Sequence, residues 1–195
     1  MLPTRHPRRG FTLIELIIVV AIAAILITLA APGLRDFILV QRLKAVNAQL
    51  VTDLQFTRSE AVARGQTVWM VFGANAAQSC YTIYTSPSPS QRCDCLLGAG
   101  NACTGLLKEV RTVAINTSDG VSVAPAGLGQ PPGLGLGHVS GELVPMPLPL
   151  AVPPPGDYVI EAKVDESRRL RTLVGVAGRP TVCAPANPAM GAPAC

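Results

Sequence analysis

One carboxylate stands where a carboxylate is costly. Glu15 lies inside a run that is otherwise almost free of polar side chains; from Leu16 to Ala31 only Thr28 is polar. Burying a charge in such a run costs about 2.5–3.5 kcal/mol on insertion scales, so an acid there calls for a partner. A chain cut between Gly10 and Phe11 would supply one, an α-amine four residues upstream of Glu15. The chemistry is then charge neutralisation inside an apolar layer.

The six cysteines are the second set of reactive side chains: Cys80, Cys93, Cys95, Cys103, Cys183 and Cys195. All lie downstream of the apolar run. An even number in an oxidising compartment is a disulfide framework, with the pairing left open. For Cys183 and Cys195 the first choice is closure of the tail on itself; its competitor is pairing with the Cys80–Cys103 group. Zinc held by Cys93-x-Cys95 with Cys80 and Cys103 is the rival reading. That spacing matches no standard finger, and no metal is expected.

No catalytic set emerges. His138 is the only histidine after His6. Gly137-His138-Val139-Ser140-Gly141 is not a nucleophile elbow, because the serine has the wrong offset from its first glycine. Asp157, Asp165 and Glu166 are turn-type acids. No phosphate-binding loop is present. The expectation is a protein without enzymatic activity or cofactor.

These residues need elements to position them. From Phe11 the apolar run extends over roughly 20 residues to Pro32, the length of a membrane-crossing helix. Arg5, Arg8 and Arg9 precede it and no acid does. A basic flank stays in the cytoplasm, so the downstream part is exported. Pro32 removes a helical hydrogen bond and marks either a hinge or the membrane exit. Between residues 34 and 64, Leu39, Leu43, Val46, Leu50, Leu54 and Ala61 recur at helical steps, while Asp53, Arg58 and Glu60 fall mostly off the stripe. Gly65 is suited to close this helix.

Beyond Thr67 the period changes to that of strands. Thr67–Phe72, Cys80–Tyr84, Lys108–Ile115, Val121–Ala124, Asp157–Val164 and Leu170–Val176 are the candidates. Ser86–Thr104 is a loop to be pinned by disulfides. Pro125–Gly156 holds nine of the 18 prolines. Few backbone donors remain there, so an extended excursion outside any sheet interior is expected. The fold class is α+β: a long N-terminal helix packed on a small β-rich head.

Gly10-Phe11-Thr12-Leu13-Ile14-Glu15, at the head of a membrane-length run and after a short basic leader, resembles the processing signal of type IV pilins and type II secretion pseudopilins. The resemblance implies that prepilin peptidase cuts after Gly10 and methylates Phe11, that Glu15 pairs with a terminal amine during assembly, and that Pro32 is a helix hinge. Leu34-Arg35-Asp36-Phe37, Gln55-Phe56-Thr57-Arg58-Ser59-Glu60-Ala61 and Arg64-Gly65-Gln66-Thr67-Val68 narrow it to the FimT/GspH branch. A Sec signal cut after Ala30-Ala31 is the bland alternative, but Pro32 is a poor start and Glu15 would be misplaced.

The implied organisation is a leader at 1–10, a transmembrane and assembly helix at 11–31, and an amphipathic continuation at 32–65. A periplasmic head at 66–183 with the 125–156 excursion follows, then a flexible tail at 184–195. The implied function is that of a FimT-like minor pilin held in the bacterial inner membrane and incorporated into the pilus. The alternative is the H pseudopilin of type II secretion. The implied partners are prepilin peptidase, other minor or major pilins or pseudopilins, and the inner membrane.

DNA uptake is a further alternative. Arg168, Arg169, Arg171 and Arg179 gather late in the chain, and Gly178-Arg179-Pro180-Thr181 is similar to the branch's terminal Gly-Arg-x-Arg segment, with Thr181 in place of the second arginine. Charge does not support it. The net +4 includes Arg5, Arg8 and Arg9; without them 13 basic residues face 12 acidic ones. Phosphate contacts need cations, so DNA is not the favoured partner.

Overall fold

In the computed structural model the described residues are 11–127, 129–146, 156–185 and 190–195, apart from the side chains of 29–32 and 145. The leader with Gly10, and Pro147, Pro149 and Pro153–Pro155, lie outside them. The chain forms two compact units, Met1–Ile38 and Leu39–Cys195. One helix, α1 (Leu13–Arg64), serves both. The fold is α+β, as expected.

In the first unit α1 exposes its apolar side chains on every side, from Leu13 and Ile14 to Leu26 and Ile27. Among the described residues nothing in this unit buries them, as befits a helix made for an apolar surrounding. No single helix among the described residues is long and apolar enough to cross a membrane; Leu13–Thr28 and Gly33–Arg64 pass together, as a bent pair, by length and composition. Pro32, the expected hinge, falls in the break between them, and its side chain lies outside the described residues.

The second unit is built on the rest of α1. Leu43, Leu50, Leu54 and Ala61 are fully buried, and Val46 packs against the same core. The stripe therefore faces the head. Gly65 ends the helix at φ 61°. Its N–H reaches Val62 O and that of Gln66 reaches Ala61 O, both at 3.3 Å, which satisfies two carbonyls of the last turn.

Two antiparallel sheets complete the head. The first has the order β3-β2-β1-β5-β6, with β1 Val68–Ala74, β2 Gln78–Thr85, β3 Lys108–Asn116, β5 Gly133–Leu136 and β6 Leu143–Pro145. The second has the order β4-β7-β8-β9, with β4 Ser122–Pro125, β7 Tyr158–Lys163, β8 Arg169–Val174 and β9 Pro180–Cys183. One core joins helix and sheets: Val68, Met70, Tyr81 and Ile83 from the first, Ile160, Ala162, Leu170 and Val174 from the second.

The proline-rich segment departs from expectation. β5, inside 125–156, is an interior strand between β1 and β6, and all four of its residues are buried. The prolines flank Gly-Leu-Gly-Leu rather than interrupt it, so its donors are intact. Leu134 and Leu136 face the core, whereas Gly133 and Gly135 pair with Val71 and Trp69. A Cβ at Gly135 would lie 2.7 Å from the Trp69 ring, and one at Gly133 would run into the Met70 carbonyl oxygen. Main chain cannot yield as a side chain can. Gly133→Ala is therefore expected to cost about 1–3 kcal/mol by overpacking. Thermal melts of the two proteins check it, and an unchanged midpoint would refute the close approach.

The far face of the first sheet is covered too. Trp69, Val71, Tyr84, Cys93 and Met146 form a second cluster there. Cys80–Cys95 and Cys93–Cys103 hold the covering loop. Glu109 accepts N–H bonds from Gly100 (3.0 Å) and Ala102 (3.3 Å) and the Thr112 hydroxyl bond (2.7 Å). Partial burial raises its pKa, but these bonds outweigh that and hold the carboxyl below its ordinary range.

The tail, expected to be flexible, is tied down in its described residues. Cys183 is bonded to Cys195, Ala184 bridges Ala194, and Met190 is buried in the core. β9 just before it is a further strand absent from the expected set.

Candidate functional site

Thr12 opens α1. Its hydroxyl oxygen accepts the Glu15 N–H at 3.3 Å, and its carbonyl accepts the first helical bond from Leu16 N at 3.2 Å. Thr12-x-x-Glu15 thus has the spacing of a capping box, with the acid in the first turn where the helix dipole favours negative charge. Phe11, directly before the cap, is exposed. The Glu15 carboxylate sits amid Leu13, Ile14, Leu16, Ile17 and Ile18, all exposed. The segment presents a lone carboxylate one turn from its start in an uncovered apolar surface. The capping role of Thr12 is legible as Thr-x-x-Glu but is masked by the processing motif that contains it.

Residues 5–31 match the prokaryotic N-terminal methylation motif, and residues 47–142 match the type II transport protein GspH family. The chain is a pilin-like protein of the FimT/GspH family. No curated protein and no solved structure matches it significantly. The methylation motif implies processing of this pilin-like chain by prepilin peptidase and assembly with other pilins or pseudopilins. The families concerned are structural, and an anchor in the inner membrane fits the motif and the first part of α1.

In the head of this pilin-like chain the late arginines do not form one cationic patch. Arg168 Nη2 lies 2.6 Å from Asp165 Oδ2, Arg169 Nη1 lies 3.1 Å from Glu166 Oε2, and Arg171 Nε lies 2.9 Å from Glu161 Oε2. The guanidinium of Arg168, with the Ser167 hydroxyl, holds the Asp165 carboxyl well below its ordinary range. Arg179 adjoins Pro180, which pairs with Val174 at the end of β8. Arg169 begins β8, so about 17 Å of strand separates the two. His138 and Ser140 are exposed in a turn that Glu142 closes, through Ser140 N and Oγ, both at 3.0 Å. Among the described residues no cluster of His, Cys, Asp and Glu is arranged to hold a metal ion.

Three polar residues on the buried face of α1 carry no such signal in the sequence. Asn47 Oδ1 accepts the Thr172 hydroxyl at 3.0 Å. Asp53, expected off the stripe, is fully buried: Tyr81 donates to its Oδ2 at 2.6 Å and Arg111 Nη1 lies 2.7 Å from its Oδ1. Thr57 donates back to the Asp53 carbonyl at 2.6 Å. Burial first, and the Asp53 contact second, push the Tyr81 hydroxyl far above its ordinary pKa, so it stays a donor. These bonds tie α1 to both sheets.

Proposed function

We propose that the chain is a FimT-like minor pilin of the type IV pilus, whose action is assembly rather than catalysis. It is made with a leader ending at Gly10, cut there and methylated on Phe11. The helix then holds it in the inner membrane with the head in the periplasm until it joins the filament. Glu15 neutralises a terminal amine inside the packed helices, because an unpaired charge there is costly. Pro32 lets α1 bend between membrane and head. The observation that carries this reading is Glu15 one turn inside an α1 segment whose apolar side chains from Leu13 to Ile27 are uncovered.

The match of residues 47–142 to the GspH family supports a second reading, the H pseudopilin of type II secretion. Deleting the gene separates the two: loss of pili supports the first, loss of secreted proteins with pili intact the second. DNA uptake is not favoured, since Arg168, Arg169 and Arg171 already face carboxylates.

Mass analysis of the mature chain's N-terminus tests the shared basis of both readings. A start at methylated Phe11 is expected. A start near Pro32, or retention of the leader, would overturn it. On the same preparation, no gel shift of DNA is expected at physiological salt.

A further inference from the structure

Nine arginines lie between Leu39 and Cys195. Arg42, Arg64, Arg111, Arg168, Arg169 and Arg171 each have a carboxylate partner. Arg58, Arg92 and Arg179 have no such partner among the described residues. Two of these three, Arg58 and Arg179, line the same groove, of about 880 Å³. One wall is α1, through Arg58 and Val62; the other is the turn at Val139 and Ser140 with Pro180 at the start of β9. Among the described residues no acidic side chain lines it.

The groove is built rather than incidental. Arg58 Nη2 donates to Ser140 O at 2.7 Å, which fixes the guanidinium across the gap. Its Nε is buried and has no hydrogen-bond partner among the described residues. The turn that carries Val139 is held by Gly137 N to Glu142 O at 2.8 Å. It is also pressed against the next loop, since a Cβ at Gly178 would collide with Gly141 O. Glu142 bonds its own turn and is not among the lining residues. Val62 and Val139 are large apolar side chains left exposed at the rim.

Guanidinium groups match carboxylates well, because their planar donors can bind both oxygens. Two of them, set between valines, suit a ligand that alternates charge and grease. A nucleic acid would need more free cations than two, and would find no use for Val62 and Val139. We propose that this groove receives an extended segment of a partner protein, bearing carboxylates beside apolar side chains. The identity of that partner as an adjoining filament subunit rests on the assembly reading above; the recognition chemistry does not.

The test uses the full mature chain in detergent and a short fluorescent peptide of alternating valine and aspartate, followed by anisotropy. Saturable binding is expected, weakening as salt rises. Replacing aspartate by asparagine in the peptide should weaken it by about tenfold or more, the scale of one charged hydrogen bond. Arg179→Gln should do the same. Arg58→Gln should also weaken it but removes the Ser140 contact, so the exposed and unpartnered Arg179 carries the decision. Equal binding of the asparagine peptide, an unchanged affinity in Arg179→Gln, or no saturable binding would overturn the proposal. So would a single-stranded oligonucleotide that binds the groove more tightly and displaces the peptide. A mature chain that starts at Phe11 yet takes no acidic peptide would remove this proposal and leave the assembly reading standing.

Discussion

Glu15→Ala should yield a chain that is still cut after Gly10 and held in the membrane, yet is depleted from filaments roughly a hundredfold. The magnitude follows from the cost of an intramembrane charge, about 2.5–3.5 kcal/mol. If a terminal amine is buried on assembly, deleting its carboxylate leaves that amine unpaired, and the penalty falls on the assembled state alone. Cleavage is untouched because the alanine lies beyond the bond that is cut.

Glu15 also stands three residues after the Thr12 cap, so loss of the cap is a competing explanation. Glu15→Gln separates the two. Glutamine serves a capping box but carries no charge. Charge neutralisation predicts that Gln fails as badly as Ala; a capping role predicts rescue. The readout is the ratio of the chain in sheared filaments to that in membranes. Normal incorporation of either variant would sink the assigned role.

Asp53→Ala should lower stability by about 3 kcal/mol. The substitution leaves the buried Tyr81 hydroxyl without its acceptor and removes the partner of Arg111. An unsatisfied buried donor costs about 1–3 kcal/mol, and breaking a buried ion pair costs more. Arg111 is half exposed and can turn to water, which keeps the total at the lower end. For a domain of this size the loss corresponds to a fall in Tm of about 6–12 °C. Tyr81→Phe is the control. It removes the donor and leaves Arg111 in place, so it should cost about half as much. Scanning calorimetry decides; equal effects of the two variants would assign the stabilisation to the hydroxyl alone.

Part of this architecture is legible in short stretches of residues. Between Phe11 and Thr28 apolar side chains fall on every face of a helix, so the single acid among them, Glu15, stands out as a candidate for function. Leu43, Leu50, Leu54 and Ala61 recur at the helical period, and they are the residues that α1 buries. Tyr158, Ile160 and Ala162 alternate, and they face the core as β7. Periodicity is a local property, so local reading suffices for it.

Other features depend on which residues meet. β5 reads as loop because composition counts prolines across 125–156, whereas a strand needs only four residues without one. Its glycines make sense only beside Trp69 and Met70. Asp53 reads as surface because charge alone argues for water; Tyr81 and Arg111, from two different strands, make its burial tolerable. Arg168 to Arg171 read as a cationic cluster until the turn at Asp165-Glu166 and Glu161 on β7 supply their partners.

Adjacent residues are enough to write the processing signal, the apolar helix and its single acid. Only the folded chain shows how Cys80, Cys93, Cys95 and Cys103 pair, which polar groups are safe to bury, and that Arg58 and Arg179 share one groove. Those outcomes depend on strands far apart in the chain coming within hydrogen-bonding distance, and no local pattern encodes that.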